Sequence, residues 1–114
     1  MKPLLPTLRE RKRYLVVEVV SEKPVTWSGA RRAMARAGLN SLGEFGLSRA
    51  GLRFLDEKWE QSRQRGALRV AHTSLDAVRA SLAFVQEIDG QPALLRSVGA
   101  SGMLHRTERY LKEE

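Results

Sequence analysis

Hydrophobic positions along the chain follow two periods. Tyr14 to Ser21, YLVVEVVS, is dense in β-branched residues, which fit a pleated surface, and predicts a strand that Lys23-Pro24 ends. Leu15, Val17 and Val19 alternate against Val16 and Val20, so both faces of this strand are apolar. From Thr26, a capping residue by type, to about Leu42, apolar Trp27, Ala30, Met34, Ala37 and Leu42 recur close to helical spacing. Arg32 and Arg36 lie four apart on another side. Gly43, Gly46 and Gly51 then punctuate the chain, and Gly51 to Glu57 alternates Leu52 and Phe54 against Arg53 and Leu55, predicting a second strand. The polar stretch 58–66, KWEQSRQRG, predicts an exposed hairpin connection into a third strand, Ala67 to His72. Leu68 and Val70 should face its core side, with Arg69 and Ala71 outward.

Thr73-Ser74-Leu75-Asp76 has the form of a capping box, in which the hydroxyl and the acid each satisfy a backbone donor. A helix should start there and bury the stripe Leu75, Val78, Leu82 and Val85. Asp89-Gly90 makes a turn, Ala93 to Val98 a fourth strand, and Gly99 to Gly102 leads to a last helix from about Met103 to Lys112. The order βαββαβ plus a terminal helix predicts an α/β sandwich of ferredoxin-like plan, with a four-stranded, mostly antiparallel sheet. Its first and third strands should be the central neighbours. The outer face, carrying Val16, Val20, Leu55 and Val98, then needs a cover, either the terminal helix through Leu104 and Leu111 or another protein.

Length adds that 114 residues make one domain, here a basic arm over 1–13 and a single unit over 14–114. Charge changes the picture more. The net charge is +7, 15 of the 20 basic residues are Arg, and Lys2, Arg9, Arg11, Lys12 and Arg13 against Glu10 put +4 in the arm. The planar guanidinium matches phosphate bidentately, so an Arg-heavy surplus points to nucleic acid. Without Cys, disulfides, thiolate catalysis and Cys-ligated zinc are excluded. No run approaches the roughly 20 apolar residues of a membrane span, and Met1 to Pro6 lacks a signal-peptide core. A cytoplasmic chain with no membrane contact is expected.

Candidate chemistry is sparse. His72 and His105 do not share a metal-ligand spacing. Gly99-Ala100-Ser101-Gly102 lacks the final Gly of a nucleophile elbow, since Met103 stands there. Adjacent Asp56 and Glu57 point to opposite strand faces, which suits solvated carboxylates better than a Mg²⁺ site. His72 is expected as a partly buried strand residue. Ser101 and Gly102 could present backbone N–H groups to a phosphate at a helix start, with Arg106 a turn further on, or serve as an ordinary capped turn. Outward Arg53, Arg69 and Arg96 could continue the arm's basic surface across the sheet. Only Tyr14 offers base stacking there, so recognition by phosphate and shape is expected.

Four segments converge on a known family. LPTLRERKRY (Leu5 to Tyr14), LGEFG (Leu42 to Gly46), ALRVAH followed by VRASLA (Val78 to Ala83), and RSVGASG (Arg96 to Gly102) together resemble archaeal ribonuclease P protein component 2. Eukaryotic relatives of that family are shared by ribonuclease P and ribonuclease MRP. The similarity runs from about Lys2 to Lys112, carried by the series and by no single motif. It implies an RNA-recognition-motif-like sandwich serving as an RNA-binding subunit of a ribonucleoprotein endonuclease, a hydrolase that removes the 5′ leader from precursor tRNA. Catalysis would belong to the RNA with Mg²⁺, so the chain itself would hold no catalytic residue, metal or cofactor. The implied partners are ribonuclease P RNA, precursor tRNA, the TIM-barrel protein subunit and other ribonuclease P proteins. The family reads G-x-S-G-T after the last strand, and Met103 replaces that Thr while Ser101, Gly102 and Arg106 match. The expected RNA-binding residues are Arg9, Arg11, Lys12, Arg13, Arg69, Arg96, Ser101, Gly102 and Arg106. Two other readings stay open: a ferredoxin-like regulatory domain binding a small anionic ligand at Gly99 to Gly102, and a ribosomal or other RNA-scaffold protein.

Overall fold

In the computed structural model, which describes residues 11–112, the β-branched run forms β1 (Lys12–Ser21). Residues 1–10 of the arm, Arg9 among them, lie outside the described residues. After Pro24 the chain turns into α1 (Trp27–Ala50), whose first turn is capped by Thr26: its hydroxyl accepts the Gly29 N–H at 3.0 Å. Ala30, Met34 and Ala37 are buried along one stripe, as the spacing predicts, while Trp27 and Leu42 pack at the edge of the same core. Gly43 breaks the helix with φ 72° and ψ 175°, a conformation open to glycine and costly for other residues. The helix does not stop there. It resumes to Ala50, which is fully buried, and ends at Gly51 in a left-handed cap.

Two further expectations shift at the boundaries. β2 (Arg53–Glu60) runs three residues past the expected end, and β3 (Arg65–Ala71) starts two earlier, so the polar connection shrinks to residues 61–64. Asp56 and Glu57 thus sit within a strand instead of ending one. The capping box is absent: His72–Ser74 forms a 3₁₀ turn, and α2 (Leu75–Leu82) starts after Ser74, which makes no side-chain cap bond. Val78, Leu82 and Val85 are nonetheless buried as expected, with Leu75 half-buried. Ala71, expected outward, is buried as well.

The sheet has five strands, not four. β4 (Glu87–Ile88) is two residues long and pairs with the start of β5 (Gln91–Ser101) through the Asp89-Gly90 turn. Two residues cannot display an alternation, which hides such a strand in the sequence, yet Ile88 is 2% exposed. The order is β2-β3-β1-β5-β4, with every pairing antiparallel. β1 and β3 are neighbours over seven register pairs, Lys12↔Ala71 to Glu18↔Arg65.

Each face of β1 has its own core. Leu15, Val17, Leu68 and Val70 lie beneath Met34 of α1 and Val78 of α2. On the opposite face Val16, Leu55 and Ala67 are sealed by Leu111 of α3 (Thr107–Lys112), with Leu104 and Tyr110 alongside. Fully burying one such Leu or Val is worth about 1.5–3 kcal/mol. The terminal helix therefore covers Val16 and Leu55 but leaves Val20 exposed, and it is shorter than expected: Leu104–Arg106 is a 3₁₀ turn, and only Thr107 onward is α-helical. No helix among the described residues is long and apolar enough to cross a membrane.

Candidate nucleic-acid interface

Strand pairing decides which cations share a face. Tyr14 of β1 is in register with Arg69 of β3 on one side and Ser101 of β5 on the other, and Arg69 is in register with Arg53 of β2. Arg53, Arg69, Tyr14 and Ser101 thus form one row across the outer face, with side chains about 5 Å from neighbour to neighbour. Arg53 is exposed and Arg69 half-buried, and the buried Nε of Arg69 has no hydrogen-bond partner among the described residues. Lys12 stands two residues before Tyr14 on the same face. A Cβ built on Gly51, just ahead of β2, would lie 3.5 Å from its Nζ.

Arg13 takes the other face. Its Nε donates to Nδ1 of His72 at 3.2 Å, while the His72 N–H donates to the Arg11 carbonyl at 2.6 Å. His72 is exposed at the start of the 3₁₀ turn, not half-buried in a strand. A Cβ on Gly102 would stand 3.8 Å from the Arg13 guanidinium, so Arg13 and Gly102 are brought together from opposite ends of the chain. Arg11, Lys12 and Arg106 are exposed near this end of the sheet's central strands.

Arg96 does not join them. It is in register with Glu18, four residues or about 13 Å along β1 from Tyr14, and its Nε donates to that carboxylate. Arg65 Nε donates to the other Glu18 oxygen at 3.1 Å, and its guanidinium also donates to the Tyr110 carbonyl at 2.8 Å. Partial burial pushes the Glu18 carboxyl up, but the hydrogen bonds and charges of Arg96 and Arg65 outweigh it and hold the group below its ordinary value. Arg65–Glu18–Arg96 is an ion-paired row that also fastens the end of α3.

The glycine stretch differs from the phosphate-binding turn considered from sequence. Gly99, Ala100 and Ser101 are strand residues. Gly99 is bare because Tyr110 lies on it: a Cβ there would meet the ring at 2.5 Å. The Ser101 hydroxyl accepts the Met103 N–H at 3.1 Å, and helical backbone begins only at Leu104. The ordinary turn is the geometry seen, and Ser101 is tied to the cations only by its place in the cross-sheet row.

Carboxylates are committed elsewhere. Asp56 accepts from Trp27 Nε1 at 2.6 Å and pairs with Arg31 at 3.4 Å, and Glu108 pairs with Lys58 at 2.9 Å. The Lys58 hydrogen bond is the main cause holding the Glu108 carboxyl below its ordinary value. No three His, Asp or Glu side chains come together among the described residues. Sequence reasoning missed a groove of about 870 Å³ between α1 and the segment after α2, lined by Arg32, Arg36, Asn40, Phe84 and Gln86. The signal available was Phe84, an aromatic off the apolar stripe of α2, which is 71% exposed.

Comparison with known proteins identifies relatives of the whole chain. The Rpp14/Pop5 family model matches residues 13–112. Ribonuclease P protein component 2 of Methanosarcina mazei is 36% identical over 115 aligned positions, covering all of this chain and 96% of the relative. The protein of the same name from Thermococcus gammatolerans is 33% identical over 99% of this chain and 92% of its own length. Among solved structures, a chain in the cryo-EM structure of yeast ribonuclease MRP matches with a TM-score of 0.63 at 17% identity, over 90% of this chain and 85% of that one.

Proposed function

The chain belongs to the Rpp14/Pop5 family, and from that membership we propose that it is an RNA-binding protein subunit of ribonuclease P, acting in the removal of 5′ leaders from precursor tRNA. The full-length match to relatives named ribonuclease P protein component 2 carries this reading. The strand order β2-β3-β1-β5, with α1 and α2 on one face, supports a ferredoxin-like plan with β4 appended. Cations at the Lys12 end of β1, together with the arm before it, would meet the ribonuclease P RNA by phosphate contacts that position without reading bases.

On this reading the chain contributes no catalytic group, and Mg²⁺ acts on the RNA. Asp56 supports it, being spent on Trp27 and Arg31. The protein partner is the TIM-barrel subunit. A regulatory domain with an anion pocket at Gly99 to Gly102 has less support, since those glycines serve Tyr110 packing and a turn. Reconstitution tests the proposal: leader removal from precursor tRNA should require the RNA and Mg²⁺, should be stimulated by this chain with its partner subunit, and should survive Asp56→Asn together with Glu57→Gln. Loss of cleavage in that variant with assembly intact would assign chemistry to the protein.

A further inference from the structure

Three cations that are distant in sequence meet at one corner of the outer face. Lys12 begins β1, Arg53 begins β2 and Arg69 lies near the end of β3; register pairs Arg53 with Arg69, and the Lys12 side chain reaches towards the start of β2, its Nζ 3.5 Å from a Cβ built on Gly51. Arg53 and Arg69 are direct cross-strand partners, a like-charge pairing that destabilises an antiparallel ladder unless something neutralises it. Elsewhere on this face Arg65, Arg96 and Lys58 each have a carboxylate partner: Arg65 and Arg96 share Glu18, and Lys58 holds Glu108. Neither Arg53 nor Arg69 has a carboxylate partner among the described residues, and the buried Arg69 Nε is left without an acceptor. A tetrahedral oxyanion supplies what is missing, negative charge and several acceptor oxygens in one small group.

Resting on the RNA-binding reading above, we propose that Lys12, Arg53 and Arg69 form a site for one backbone phosphate of the bound RNA, with Tyr14 as its side wall. The site is separate from the Arg13–His72–Gly102 cluster on the other face. It makes the outer corner of the sheet an anchor point whose Arg53–Arg69 pair is set by strand register.

Two measurements on the full chain test it. In thermal unfolding at matched ionic strength, inorganic phosphate in place of chloride should raise the midpoint of the wild type. Arg53→Gln and Arg69→Gln should lose most of that rise, whereas Arg79→Gln, on α2 and paired with Asp76, should keep it. Arg53 is exposed, so its variant remains informative if Arg69→Gln folds poorly. In binding to ribonuclease P RNA, each of the two variants should lower the slope of log affinity against log salt by about 0.7–0.9. Equal phosphate shifts in all four proteins would overturn the site while leaving salt-dependent RNA binding, and the underlying reading, in place. A lost phosphate shift with an unchanged RNA slope would mean a free oxyanion site and overturn the RNA assignment. Failure of the wild type to bind the RNA at all would strike the underlying reading itself.

Discussion

Gly99 and Tyr110 come from β5 and α3, and at the scale of single residues their contact is among the most sensitive in the molecule. A methyl group on Gly99 would sit 2.5 Å from the ring, so Gly99→Ala should cost about 1–3 kcal/mol by overpacking, read as a lowered urea midpoint. The penalty should shrink in a Tyr110→Ala background, because neighbours in contact are not additive. Glu18 makes a second prediction. Its folded-state value lies below the ordinary 4.5, so the unfolded chain binds its proton first, and the stability from the Arg65–Glu18–Arg96 row is lost as pH falls through the folded value. Denaturation from neutral pH to about pH 3 should show the gap between wild type and Glu18→Gln narrowing in acid. A constant gap would show that the carboxylate charge does not matter there. Neither feature was legible in the sequence: a glycine before Ala-Ser-Gly looks like a turn until Tyr110 is seen to need the space.

Elements were legible where their period is long enough to show. The stripe Ala30, Met34, Ala37 and the β-branched run of β1 were readable because burial of one face repeats over many residues. β4 was not, with two residues, nor was the helical stretch after Gly43, which is too short to display a stripe and is held by tertiary burial of Ala50. The capping box failed because the chain makes a 3₁₀ turn at His72 first, pinned by the Arg11 carbonyl and the Arg13 side chain. The basic surface was half legible, since residue type and face follow from alternation, but register does not. That is why Arg53 and Arg69 were not seen as cross-strand partners, and why Arg96 was grouped with cations that lie about 13 Å away along the sheet. Among elements α3 gives the clearest test. Leu111 is 1% exposed over Val16, Leu55 and Ala67, so Leu111→Ala should destabilise by about 2–5 kcal/mol in chemical denaturation, far more than a six-residue surface helix would lose.

For the whole molecule, charge placement predicts how RNA affinity depends on salt. Cations free to meet phosphates each release about one counterion, so Arg11→Gln should flatten the salt dependence by about 0.7–0.9. Arg96→Gln, already committed to Glu18, should flatten it less, and a filter-binding titration over a range of salt separates the two. The double burial of β1 also has a consequence in time. The strand is made first, yet its neighbours β3 and β5 and its outer cover at Leu111 come later along the chain. At 5–20 residues per second, roughly 5–20 seconds of synthesis pass before the last of them is available. Until that interval ends a strand apolar on both sides is without its full set of partners. Ribosome-bound chains halted before α3 should therefore be prominent clients of nascent-chain chaperones, and release into the folded state should coincide with emergence of Leu111.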